Sequence, residues 1–481
     1  MVGKQDRWED ELFVACTLRE LIPADHILRR VDKVLDLTWL RAEVKSLYDE
    51  YQGRPSIDPE SAVRLMLAGF FEGIVQDRKL MRQAQVNLAI RWFAGYRLHE
   101  KLPDHSSLTR IRQRWGEERF RRIFQKTVEQ CIRAGLVDGE TVHVDATLIR
   151  ADVSWESLVE RHAEQVIAEN PTSPDDPGPG PEAKKPGRPR TREKAPKKIS
   201  LTDPDATLTT SCKNFQMEPS YKQHTAVDDR AGVVVDVAVT TGEQSEGEQL
   251  LDQVARIEAN LGQPIAVVTA DAAYAHGANY AALEERQIGA VIPPQKETTR
   301  AGRMPLRRFK YDAKNHRVRC PRGKLLRPGA PTARGTWYQA RRKDCADCPL
   351  RGRCFGEKQK QRRVLIGDAY EALLRARRRR ARWSEEDQRR YQRHRWRVEG
   401  IHGESKTQHG LRRAVRRHLW NIAIQAYLTA AVINLKRLAA LLCLIFLWGW
   451  MRKRRSEPIL MVWTAQRTPV CENRVAIKRA A

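Results

Sequence analysis

Three acidic residues stand where metal-assisted chemistry could use them. In TVHVDATLI (141–149) the alternation puts Val142 and Val144 on one face of a strand and His143 and Asp145 on the other. IAVVTAD (265–271) is a hydrophobic run that ends in Asp271, 126 residues further on. A carboxylate at the end of a buried strand is costly without a cation or a donor, although either aspartate taken alone also fits a cap or a turn. The third acid lies in YQRHRWRVEGIHGESK (391–406). At about 100° per residue, Tyr391, Arg395, Glu399, His402 and Lys406 share one stripe about 80° wide, whereas Glu404 falls about 140° from Glu399. Glu399 is therefore the acid expected to join the other two. A salt-bridged surface helix would explain the Arg395 to Glu399 spacing, but not Tyr391 and His402.

The elements that must position these residues follow from the change of period. YKQHTAVD and GVVVDVAVT predict two strands of a hairpin with a turn at Asp229 to Gly232, 247–261 a helix, 265–271 a strand, 278–287 a helix and 289–294 a short strand. The order β, β, β, α, β, α, β calls for a mixed sheet with a parallel part covered by helices, whose chemistry gathers at strand ends. Residues 1–137 read as helical. Asp58 and Pro59 form a cap and first-turn pair, and an arginine-rich helix starts at Ser106 or Ser107 and stops at Gly135. That helix is either a DNA-contacting face or a solvated basic face. After a helix-like piece to about Glu169, residues 170–200 hold 8 Pro and 8 Lys or Arg, the composition of a linker.

The resulting division is a helical DNA-binding domain (1–137), the first strand and helix of a core (138–169), a basic linker (170–200), the main part of the core (201–295), a basic Cys-rich insertion (296–365), the late helices (366–440) and an atypical tail (441–481). A chain of 481 residues with 41% hydrophobic residues, about 47% with its 28 glycines, is long enough and apolar enough to bury a sizeable core. Its formal charge of +27 points to a polyanionic partner, nucleic acid first. Residues 375–417 alone carry 16 Lys or Arg against 5 Asp or Glu. No secretory pattern opens the sequence, so a cytoplasmic, nucleoid-associated protein is expected. The apolar run from Leu438 to Met451 is short of the roughly 20 residues a membrane-spanning helix needs, and a buried or interfacial helix is expected there.

Cys320, Cys345, Cys348 and Cys354 follow the pattern C-x24-C-x2-C-x5-C. Four thiolates suit tetrahedral zinc, and loosely clustered free thiols are the other reading. KKPGRPRTREK (184–194), with Arg188 and Arg190 around a proline, is similar to an AT-hook that lays arginines in an A·T minor groove. A plain basic linker is the alternative.

HVDATLIRA around Asp145, DPDA (203–206) before YKQHTAVD, VVTADAAYAHG around Asp271, the 391–406 helix leading into NLKRL, and LPDHSSLTRIRQRW carry a resemblance that runs from about Leu21 to Leu438. The chain resembles the DDE transposases of bacterial insertion sequences, in the branch with a Tyr-Arg-Glu-Lys signature and a helical amino-terminal transposase domain. Tyr391 is one residue farther from Arg395 than that signature has it. The resemblance implies a ribonuclease H-like catalytic core, with Asp145, Asp271 and Glu399 as catalytic acids holding Mg²⁺ or Mn²⁺, and with Tyr391, Arg395 and Lys406 contacting DNA. It implies cleavage at element ends followed by transfer of the freed 3′ hydroxyl into target DNA, by a homodimer in a synaptic complex with no role for a membrane. An inactive, transposase-derived DNA-binding protein or repressor is the alternative. The charge predicts a DNA affinity that falls steeply with salt. Binding isotherms at low and at physiological ionic strength check this, and an affinity that does not change between them would contradict it.

Overall fold

The computed structural model describes residues 16–49, 56–153, 158–161, 197–200, 202–209, 217–297, 303–332, 335–357 and 359–456. Two compact units divide the chain, 1–439 and 440–481, and the described part of the second is the end of the helix Leu419–Ser456. The first is a mixed α/β unit with a helical amino-terminal region.

Its central sheet is built from β1 (Thr141–Arg150), β2 (Glu218–Asp228), β3 (Val234–Thr241), β4 (Val267–Ala270) and β5 (Gly289–Val291), with the short strand Thr207–Thr209 also on β2. β2 pairs antiparallel with both β1 and β3, and the bonds between β2 and β3 shift register at Ala226/Val227. β4 lies parallel to β1 and β5 parallel to β4. Parallel neighbours need a crossover. Here the strands alternate with the helices Glu246–Leu261 and Gly277–Glu285.

The amino-terminal helices include α1 (Pro59–Phe71), α2 (Asp77–Val86) and α3 (His105–Arg133). α1 begins as its sequence dictates: the Asp58 carboxylate accepts the Glu60 N–H at 3.2 Å, and Pro59 occupies the first turn, where no N–H is missed. α3 starts earlier than expected, because Asp104, not a serine, caps it by accepting the Ser106 N–H at 2.8 Å. Gly116, at φ 69°, kinks it, and Gly135, at φ 70°, follows its end.

Several of the α3 arginines are committed to packing. Arg112 is buried against Asp77 at 2.7 Å, Arg114 lies over the Tyr48 ring, and Arg121 donates to the Tyr427 hydroxyl at 3.2 Å. Residues of α1, α3 and the sheet share one continuous hydrophobic core. The later helices are α4 (Glu246–Leu261), α5 (Gly277–Glu285), α6 (Tyr370–Arg380), α7 (Glu385–Thr407) and α8 (Leu419–Ser456). Buried Asn434 of α8 accepts the Val234 N–H and donates to the Val234 carbonyl, both at 2.9 Å. A single amide thus satisfies the start of β3, beside the register shift.

Two expectations need correction. The piece before Glu169 is not helical where it is described: Leu158–Arg161 is a strand, and it pairs antiparallel with Lys197–Ser200, the last residues of the supposed linker. The register sets Val159 opposite Ile199. The AT-hook-like segment with Arg188 and Arg190 lies outside the described residues. Among the described residues no helix is long and apolar enough to cross a membrane.

Asp77 joins distant parts of the first unit. It pairs at 2.7 Å with Arg112 and also with Arg416, which lies beyond α7. Burial opposes ionisation of Asp77, but the two guanidinium charges and their hydrogen bonds outweigh it and hold the carboxyl below its ordinary range. Asp77→Ala strands Arg112 without a counter-charge. A loss of about 3–5 kcal/mol in urea unfolding is expected, and a loss under about 1 kcal/mol would show that water or another group takes its place.

Candidate active site

β1 and β4 run parallel and in register, pairing His143 with Thr269 and Val144 with Ala270. The next residues outward are Asp145 on β1 and Asp271, which follows β4 and caps the next turn by accepting the Ala273 N–H at 2.8 Å. The same spacing of 126 residues separates both pairs, so strand pairing alone brings the two aspartates together.

α7 lies across this face. Its amino terminus is capped by Ser384, which accepts the Asp387 N–H at 3.0 Å. A buried chain of hydrogen bonds holds the helix to the sheet. Asp229 takes Arg393 at 2.6 Å and His143 Nε2 at 3.1 Å, while His143 Nδ1 meets the Thr269 hydroxyl at 2.6 Å and that hydroxyl meets His394 Nδ1 at 3.0 Å. Burial pushes the His143 imidazole below its ordinary value and that of His394 down to about 4, so both rings are neutral at pH 7. Their tautomers follow. His143 gives its Nε2 proton to Asp229 and accepts the Thr269 O–H at Nδ1, and Thr269 in turn accepts from His394 Nδ1–H.

The buried face of α7 consists of His394, Val398, Ile401, His402 and Ser405. The predicted stripe therefore straddles the edge of the contact: His402 is inside it, Tyr391 and Lys406 are half-buried, and Arg395 and Glu399 are exposed, with side chains 82% and 62% accessible. Arg395 and Glu399 approach each other to 3.5 Å. Tyr391 stacks on His394 with ring centroids 6.1 Å apart and leans on Trp383, within electrostatic reach of Asp271. Glu404 is engaged elsewhere by Lys436, by Arg437 at 3.0 Å and by His409 at 3.6 Å. Burial would raise its carboxyl, yet these partners bring it down to about 2.

Asp145 is the electrostatic focus. Burial above all, then the negative charges of Asp271, Glu246 and Glu399, push its carboxyl up to about 7 against one opposing N–H from Ala146. No Lys or Arg among the described residues lies within ion-pair distance of it. His402, 3.7 Å away, is kept neutral by its own burial, which lowers it to about 3. Lys406 also feels the Asp145 charge, although burial and Arg412 lower its own value. A desolvated carboxylate facing three other acids with no cationic partner suits a hard divalent cation with oxygen ligands. The three acids do not form a closed cluster on their own. Among the described residues, the group whose ligand atoms all lie within 4.8 Å is Asp203, Asp205 and His418. Its carboxylates already accept N–H bonds from His418 at 3.3 Å and Leu419 at 2.9 Å, and Asp203 also accepts from the Tyr221 hydroxyl, so they cap α8.

Glu246 escaped the sequence reading. It opens α4 and is held by Lys222 at 3.2 Å, and an acid in the first turn of a helix is too ordinary to signal anything more.

Residues 16–114 match the family described as Transposase domain (DUF772), and residues 319–439 match the family described as Transposase DDE domain. These matches support a transposase of the DDE kind and hence an enzyme of the nuclease or transferase type. No curated protein matches the chain. Among solved structures, the chain is similar to the piggyBac transposase synaptic complex with hairpin DNA at 11% identity and a TM-score of 0.30, covering 92% of this chain and 82% of that one. It is similar to the Mos1 transposase paired-end complex at 12% identity and a TM-score of 0.16, covering 53% of this chain and 65% of that one, slightly under two thirds. At such scores neither likeness establishes a common fold.

The raised carboxyl of Asp145 has a pH consequence. A proton on this group favours the folded state, so in metal-free protein its ionisation destabilises the fold by on the order of 2–4 kcal/mol, an effect absent below about pH 4 and complete above about pH 7. Asp145→Asn is expected to be more stable than wild type at about pH 8 without metal, and the gap should close towards pH 4 and on adding Mg²⁺. Identical pH profiles of thermal stability in the two proteins would contradict this.

Proposed function

We propose that the protein is the transposase of an insertion sequence, cutting DNA at the element ends and joining the freed 3′ hydroxyl to target DNA. The observation that carries this reading is the placement of Asp145, in the middle of β1, beside Asp271, just past the parallel strand β4, with Glu399 on the helix laid across them. In this reading the sheet of β1 to β5 is a ribonuclease H-like core, residues 1–137 form a helical DNA-binding domain, and residues 366–440 complete the core. The DDE domain match over residues 319–439 includes Glu399 and agrees with that assignment.

Asp145, Asp271 and Glu399 would hold a pair of Mg²⁺ or Mn²⁺ ions. Bound there, the ions supply activation of the attacking oxygen and neutralisation of the leaving one. The rest falls to the chain's own groups. Exposed Arg395, next to Glu399, is free to swing onto a phosphate beside the scissile bond, and Lys406 sits near Asp145 to do the same. Tyr391, fixed between Trp383 and His394, orients the start of this face next to Asp271. The chain of Asp229, His143, Thr269 and His394 holds α7 at a constant distance from the strands, which fixes where Glu399 can reach. Exposed arginines of residues 375–417, among them Arg378, Arg382 and Arg412, would meet the backbone of the duplex on its approach. Two ends must be brought together, so a homodimer in a synaptic complex acting at the nucleoid completes the reading.

The test is Mg²⁺-dependent cleavage of a DNA fragment carrying the sequences that flank the gene. Wild type is expected to cut, while Asp145→Asn, Asp271→Asn and Glu399→Gln bind the fragment with unchanged affinity and do not cut. Normal cleavage by one of these variants removes that residue from the site, and binding without cleavage by wild type overturns the enzyme reading in favour of a DNA-binding repressor.

A further inference from the structure

The insertion that precedes α6 folds around a separate small core. Its strands Lys310–Asp312, Arg317–Arg319, Leu325–Thr332, Gly335–Gln339 and Arg363–Ile366 follow one another in an antiparallel meander, with the helices Arg342–Ala346 and Arg351–Cys354 between the last two. Eleven buried residues make up its core. A unit of about 60 residues with so little apolar burial is normally stapled by a disulfide or a metal.

Four cysteines converge there from three backbone segments. Cys345 and Cys354 are 8% and 9% exposed members of the core, and Cys320 packs against it. Cys320, Cys345 and Cys348 all lie within electrostatic reach of the Cys354 thiol, and all four are free. Cys320 sits at the mouth of a tight turn: its N–H donates to the Lys324 carbonyl at 2.9 Å and its carbonyl accepts from Gly323 at 2.8 Å. Gly323 has φ 77°, a conformation that side chains resist. A second turn, closed by the Arg351 N–H on the Cys348 carbonyl at 2.9 Å, leads from Cys348 to Cys354. Arg362 reaches into the same core, donating to the Cys354 carbonyl at 2.9 Å and the Met304 carbonyl at 2.8 Å, while its buried Nε has no partner.

We propose that Cys320, Cys345, Cys348 and Cys354 form a structural zinc site that holds the insertion folded. Tetrahedral thiolate coordination requires sulfurs about 3.8 Å apart around a metal about 2.3 Å from each. No three of these four sulfurs all lie within 4.8 Å of one another, so binding would require the turns to close around the metal. Four thiolates on one Zn²⁺ leave a net charge of −2, and the Arg362 guanidinium in the core offsets part of it. The site is separate from the acids on the sheet and supplies no step of strand transfer.

The test is the metal content of full-length protein purified without chelator. About one zinc per chain is expected, lost in Cys345→Ser/Cys348→Ser and kept in Cys16→Ser and in Asp145→Asn. Because the double variant may not fold, wild-type protein is also refolded with Co²⁺, where thiolate-to-cobalt charge transfer and the strong visible bands of a tetrahedral site are expected. Less than about half an equivalent of zinc, a cobalt spectrum without thiolate bands, iron with sulfide in place of zinc, or disulfides by mass spectrometry would each overturn the proposal. These readouts do not depend on DNA cleavage, so their outcome is distinct from that of the transposase reading.

Discussion

The in-register pairing of β1 with β4 is the constraint on which the site depends. Four backbone pairs, from Thr141 with Val267 to Val144 with Ala270, set His143 beside Thr269 and bring Asp145 of β1 next to Asp271, the residue that follows β4. A slip of one residue would turn one of the aspartates to the opposite face and break the contact between His143 and Thr269. Because Thr269 is also the partner of His394, the same pairing fixes where α7, and therefore Glu399, can lie. Position is thus transmitted from the sheet to the third acid through the Thr269 hydroxyl together with the contacts of Arg393 with Asp229 and His402 with Thr225.

The protein carries a large positive charge, yet it brings Asp145, Asp271, Glu246 and Glu399 within reach of one another and leaves partly buried Asp145 with no lysine or arginine in ion-pair distance among the described residues. Among the other described acids, Asp77 has two arginines, Glu404 has Lys436, Arg437 and His409, Asp236 has Arg256, and Asp203 has a hydroxyl and an N–H, while buried Asp228 is held by backbone N–H groups, those of Gly139 and Arg230 among them. An acid left unmatched in such a chain is kept at the cost of stability, and groups of that kind gather at functional sites. In the proposed reading the surrounding exposed arginines serve a different charge, that of a backbone running past the acids.

Much of this arrangement was legible in the sequence. Alternation in 141–149 identified the strand and the face of Asp145, and the order of strands and helices from 221 to 291 is the order observed. The helical spacing of 391–406 located α7, but it could not tell that His402 would be buried while Glu399 remained exposed, since only the packing of the helix on Thr225, Thr269 and Asp229 decides that. Glu246, the relay through Thr269 and the double pairing of Asp77 left no local pattern, because each joins residues scores to hundreds of positions apart. The ribbon of Leu158–Arg161 with Lys197–Ser200 was hidden for the same reason: two four-residue pieces become strands only by meeting.

The central claim is that Asp145, Asp271 and Glu399 share a bound divalent cation. Fe²⁺ placed in that site, with ascorbate and peroxide, generates hydroxyl radicals that cut the nearby backbone. Fragments ending close to residues 145, 271 and 399, suppressed by excess Mg²⁺, are the result this account requires. Cuts confined to the neighbourhood of Asp203, Asp205 and His418, or none that Mg²⁺ suppresses, would contradict it.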